Sequence, residues 1–169
     1  FDNSALTVGD FLSVGRNGTG ILTLQNGAIA TNTDAAGLTR IGREGGTGTL
    51  EVVSGSSLTA NNLRLGSDTG STGTVTVDSG ATINLTDTVQ VGQDSATANT
   101  LTIGAGGTVN AHTAIIATNT GSNGTANVSG AGAQLNLSGL FPTTGTDQDG
   151  AVLVVGRNGT GTLNINAGG

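Results

Sequence analysis

The segment LSVGRNGTGILTL (Leu12 to Leu24) returns near the end of the chain as LVVGRNGTGTLNI (Leu153 to Ile165). Self-similarity at a fixed period constrains a fold more than local propensity does. Every copy must form the same unit and bury itself against its neighbours. Weaker copies lie between these two. An aliphatic residue followed by glycine recurs at Val14-Gly15, Ile41-Gly42, Leu65-Gly66, Val91-Gly92 and Val155-Gly156, with Ile116-Ala117 as the one departure. These anchors are 27, 24, 26, 25 and 39 residues apart, and the excess in the last interval lies in SGLFPTTGTDQDG, residues 138–150. The spacing predicts a regular array with one corner insertion.

Each copy divides into three short pieces with period-two alternation. One precedes the anchor (Leu12-x-Val14, Leu63-x-Leu65, Val89-x-Val91). A second follows a Gly-rich turn, at Leu22-x-Leu24, Leu50-x-Val52, Val75-x-Val77, Leu101-x-Ile103, Ala126-x-Val128 and Leu163-x-Ile165. A weaker third lies at Leu6-x-Val8, Ile83-x-Leu85, Val109-x-Ala111 and Leu135-x-Leu137. Alternation bounded by Gly, Asn and Asp is the strand signal, and no window carries a helical stripe. Three strands per repeat, each returning one coil later, predict an all-β chain: a single parallel β-helix, or β-solenoid, spanning residues 1–169. About six coils at about 4.8 Å each give a length of about 29 Å. The crossover rule makes it right-handed. Left-handed corners are expected at Asn17-Gly18, Asn123-Gly124 and Asn158-Gly159.

Composition narrows the function classes. Gly, Thr, Asn and Ser make up just over half of the chain, and Cys, Met, Trp, Tyr and Lys are absent. Without Cys there is neither a disulfide framework nor a thiolate metal site. A net charge of −6 with five Arg argues against nucleic acid or an anionic membrane as partner. No apolar run is long enough to span a membrane, and the opening FDNSALTVGD has no signal-peptide pattern.

The stretches VGRNGTGILTL, VGRNGTGTLNINAGG and GTVTVDSGATI resemble the glycine-rich repeat of bacterial autotransporter passenger regions and of PEP-CTERM-type surface proteins. The resemblance covers nearly the whole chain. It implies an exported, extracellular β-helix at the bacterial cell surface, forming a stalk or adhesive surface, with no catalytic residues to carry over.

Candidate sites are few. The lone His112 falls at an outward position with no nucleophile marked beside it. GGTGTLEVV (Gly45 to Val53) is similar to a calcium-binding nonapeptide, but Leu50 stands at the ligand position. Asp147-x-Asp149-Gly150 offers half of a calcium loop. Neither predicts a metal site, and no catalytic or cofactor residue is expected. Arg16, Arg43 and Arg157 each follow an anchor and share one corner, interrupted by Ser67, Gln93 and Thr118.

Two features invite binding. The second strand displays an outward column, Thr49, Thr74, Thr100, Thr125 and Thr162, beside Thr76 and Thr102, similar to the flat Thr arrays of ice-binding β-solenoids. Glu51, Asn127 and Asn164 interrupt its regularity. In the insertion, Leu140, Phe141 and Pro142 form an apolar tip, a candidate contact loop on a polar rod. Asn84, Asn110 and Asn136, each 26 apart, are expected to stack as a structural amide ladder.

The resulting expectation is a non-enzymatic extracellular rod, part of a surface adhesin or filament. The alternative is a module that binds ice or a glycan through its Thr-rich face. Neither end of the sequence shows a cap. A strand of the third type opens the chain and one of the second type closes it. The open ends point to the chain itself as partner, head to tail or within a longer tandem chain, with surface glycans as a further candidate.

Overall fold

The computed structural model describes residues 3–34, 37–138 and 153–168. The first coil is β1 (Ala5–Val8), β2 (Leu12–Arg16) and β3 (Thr19–Leu24). The second is β4 (Ile29–Asn32), β5 (Leu38–Arg43) and β6 (Thr47–Val52). The third is β7 (Ser57–Ala60), β8 (Asn62–Leu65) and β9 (Thr72–Val77). The fourth is β10 (Thr82–Leu85), β11 (Thr88–Val91) and β12 (Asn99–Ile103). The fifth is β13 (Thr108–Ala111), β14 (Thr113–Ile116) and β15 (Asn123–Val128). The sixth is β16 (Gln134–Leu137), β17 (Leu153–Val155) and β18 (Thr160–Ile165).

Corresponding strands pair in parallel across coils, giving three six-stranded sheets and the expected β-solenoid. The sheet of β1, β4, β7, β10, β13 and β16 is termed the asparagine face. That of β2, β5, β8, β11, β14 and β17 is the anchor face, and that of β3, β6, β9, β12, β15 and β18 the threonine face. Among the described residues each holds six strands.

Period-two alternation decides what faces inward. Leu24, Leu50, Leu58, Leu63, Ile83, Leu101 and Ile103 are among the side chains sealed in the core. Several polar residues are buried with them, Asn32 and Thr39 among these. Asn32 pairs in register with Val8, and Thr39 with Leu12 and Leu63, so both occupy inward columns that are otherwise apolar or small. They satisfy each other: Asn32 Nδ2 donates to Thr39 Oγ1 at 3.5 Å, and Asn32 Oδ1 accepts the Asp34 N–H at 3.3 Å. A buried polar pair costs little when its hydrogen bonds are made internally.

A left-handed corner joins the anchor and threonine faces. Gly15, Gly42, Gly66, Gly92, Ala117 and Gly156 all take left-handed φ there, from 58° to 75°. The expected Asn-Gly corners are different. Only Asn17 among those six residues is left-handed, at φ 58°. Asn123 and Gly124 instead start β15. Gly124 is needed for space, since a Cβ there would stand 2.0 Å from the Val91 carbonyl oxygen. The corner rotates the chain at the anchor glycine and then passes the next strand so close that a second glycine is required.

Candidate functional site

The threonine face is the most regular surface. Register pairs Thr49 with Thr74, Thr74 with Thr100, Thr100 with Thr125 and Thr125 with Thr162, one unbroken column through five coils. Thr76 pairs with Thr102 in the adjacent column. Neighbours stand about 4.8 Å apart across coils and about 6.6 Å apart along a strand, so the Thr side chains form a regular grid. The Thr column is headed by Ile21, 70% exposed, and the adjacent one contains Glu51, to which the Thr23 hydroxyl donates at 3.0 Å. Asn164 Nδ2 donates to Asn127 Oδ1 at 2.8 Å in the last coils. The regular array therefore occupies the middle of the face.

The opposite expectation, a structural amide ladder, is met on the asparagine face. Asn110 Nδ2 donates to Asn84 Oδ1 at 2.8 Å, and Asn136 Nδ2 donates to Asn110 Oδ1 at 3.0 Å. These amides bond one another and fix the register.

The corner beyond the anchors carries charge. Arg16 and Arg43 pair in register, yet a carboxylate lies between them. Arg16 Nε donates to Glu44 Oε2 at 2.8 Å, Arg43 Nη2 lies 3.1 Å from Glu44 Oε1, and Arg43 Nε lies 3.8 Å from Asp68 Oδ2. The hydrogen bond from Arg16 holds the Glu44 carboxyl below the usual carboxylate range, and the same contact raises Arg16. Exposed pairs of this kind stabilise little. Arg157 joins the corner column through its N–H, which donates to the Ala117 carbonyl at 3.0 Å, four coils beyond Arg43.

The C-terminal end of the core is open. An apolar depression of about 290 Å³ is lined by Val128, Leu135, Leu137, Leu153, Leu163 and Ile165 among others. Leu153, Val155 and Ile165 point along the inward columns yet are 42%, 43% and 67% exposed. In the first coil, by contrast, Val14 is 6% exposed and Leu24 fully covered.

Other candidates do not gather into a site. His112 is exposed, and Leu50 of the Gly45–Val53 stretch is buried in the core rather than placed as a ligand. Among the described residues no group of three or more His, Cys, Asp or Glu is arranged to hold a metal ion. The contact loop Leu140, Phe141 and Pro142, with Asp147 and Asp149, lies outside the described residues.

Sequence reasoning missed Asn99. It stands where the other coils have the second corner glycine, and its buried amide bonds backbone on both sides. The only sign in the sequence is the missing glycine before Thr100. No family model matches the chain, and neither a curated protein nor a solved structure matches it.

Proposed function

We propose that this chain is a segment of a rigid, non-enzymatic rod at the bacterial cell surface, lengthened by in-register continuation of its coils. The open apolar end carries the reading. An apolar cross-section beside the unpaired edges of β16, β17 and β18 favours another coil stacked on it. The first coil of a second copy has the matching columns. Its Leu6 and Val8 would lie over Leu135 and Leu137, its Leu12 and Val14 over Leu153 and Val155, and its Leu22 and Leu24 over Leu163 and Ile165. The extracellular setting and the adhesin role rest on the glycine-rich repeat alone.

Sedimentation velocity and negative-stain electron microscopy on the full chain test the stacking. Rods of constant width should lengthen as protein concentration rises. Ile165→Asp should shorten them, because it would place an unpaired charge in the joint. A chain that stays monomeric at millimolar concentration overturns head-to-tail stacking.

A second reading is favoured by the five-coil Thr column, namely recognition of ice or a glycan by the threonine face. Thermal hysteresis tests the ice form. Wild-type protein should depress the freezing point below the melting point, and Thr74→Lys with Thr100→Lys should abolish the gap while the β signal in circular dichroism persists. A wild-type chain with no hysteresis and no retention on immobilised polysaccharides ends this reading.

A further inference from the structure

Four of the five arginines lie on the first three coils of the anchor face: Arg16, Arg40, Arg43 and Arg64. Arg16 and Arg43 are bound to the carboxylates of Glu44 and Asp68. Arg40 and Arg64 are arranged differently. They pair directly in register, pointing outward between the inward residues Thr39, Ile41, Leu63 and Leu65. Above Arg40 the ladder continues to Ser13, and below Arg64 to Gln90. The column thus runs Ser13, Arg40, Arg64, Gln90 along one line of the rod.

Like charges opposite one another on adjacent strands destabilise a sheet unless something neutralises them. Among the described residues no carboxylate lies within ion-pair distance of Arg40 or Arg64. Ser13 Oγ, Arg40 Nε, Arg64 Nε and Gln90 Oε1 are all buried without a hydrogen-bond partner. Four successive side chains with unmet polar atoms are a departure from ordinary packing, where such atoms are partnered. The Phe11 ring lies 5.4 Å from the Arg40 guanidinium carbon and 4.8 Å from that of Arg43, which restrains both planes. Burial lowers the Arg64 pKa most and the neighbouring Arg40 adds to it, while Asp87 and Asp94, beyond ion-pair distance, act in the opposite direction.

We propose that Arg40 and Arg64 form a two-guanidinium clamp for an oxyanion, a sulfate or carboxylate group, on the outer side of the anchor face. Strands about 4.8 Å apart place the two forks within reach of one such group. A guanidinium is always charged and offers paired N–H donors suited to planar or tetrahedral oxyanions. The rest of the surface is acidic overall, so the attraction is local to this column. The clamp stands independently of the rod reading.

Binding of two probes to the full chain at low ionic strength tests this: inorganic sulfate and dextran sulfate, with unsulfated dextran as control. Wild-type protein should bind a sulfated probe, and Arg40→Gln with Arg64→Gln should weaken binding at least about tenfold, as loss of a close charge pair does. Arg157→Gln, three coils away from the clamp, should bind as the wild type does. Added salt should weaken binding. Removing the paired charges should leave the melting temperature unchanged or raise it, and Arg64→Gln alone serves if the double variant folds poorly. Competition by free sulfate assigns a small oxyanion as sufficient ligand, and binding of dextran sulfate alone assigns a sulfated polymer. A wild type that binds neither probe, or glutamine variants that bind as tightly as it does, overturns the clamp.

Discussion

Gly42→Ala should remove about 4 kcal/mol or more of stability, a large share of the roughly 5–15 kcal/mol of an ordinary domain. Two effects combine there. Gly42 has φ +75°, a left-handed conformation that costs a side chain about 1–2 kcal/mol. Its Cβ would also stand 2.2 Å from the Thr72 carbonyl oxygen and 2.5 Å from the carbonyl carbon. The obstacle is backbone held in the threonine face, so relief means parting β6 from β9 or β5 from β8. Gly80 separates the two effects. It has the same φ of +75° but open space around its Cβ position, so Gly80→Ala should cost only about 1–2 kcal/mol. Urea melts followed by circular dichroism measure both. Equal losses at the two positions would mean that the corner has room to relax.

Asn99→Leu should cost about 3–5 kcal/mol, about 10 °C in melting temperature for a chain of this size. Asn99 is 1% exposed. Its Oδ1 accepts the Gly73 N–H at 2.8 Å, and its Nδ2 donates to Thr97 O at 2.8 Å and Asn123 O at 3.1 Å. One amide therefore ties the third, fourth and fifth coils together. Leucine would leave these backbone groups buried and unmet, at about 1–3 kcal/mol for each that water cannot reach. Asn110→Leu is the comparison, since it breaks two hydrogen bonds of the exposed amide ladder where water replaces them. Its cost should be about 1 kcal/mol. A solenoid is stabilised by nearest-neighbour contacts, so the Asn99 lesion sits where it divides the stack into two short halves. A melting temperature unchanged in Asn99→Leu would show that the amide is a passenger.

The coil period, the three strands per coil and the inward side of most strands were legible in the sequence. A repeat announces the unit, and alternation of two assigns each side chain to the core or to solvent. Legibility failed where a polar side chain points inward. In β4 the inward residues are Ala30 and Asn32 while Ile29 faces solvent at 52% exposure, so the apolar signal there is reversed. In β5 the inward Thr39 hides the strand that precedes Ile41. Partners seven residues apart satisfy each other inside, and no local pattern records that pairing.

What only the tertiary structure decided is neighbourhood. Arg40 and Arg64 each precede an anchor, so the repeat already sets one over the other, but it does not say that among the described residues no carboxylate reaches them. The same holds for the corner glycines, whose need for space comes from a carbonyl one coil away. It also holds for Asn99, whose partners lie 26 residues before it and 24 after. The sequence by itself determined the repeating unit because local sterics and burial act within a single coil. Packing between coils decided the left-handed seam, the corner clashes and the Asn99 bridge, because those features arise only when one copy is laid on the next.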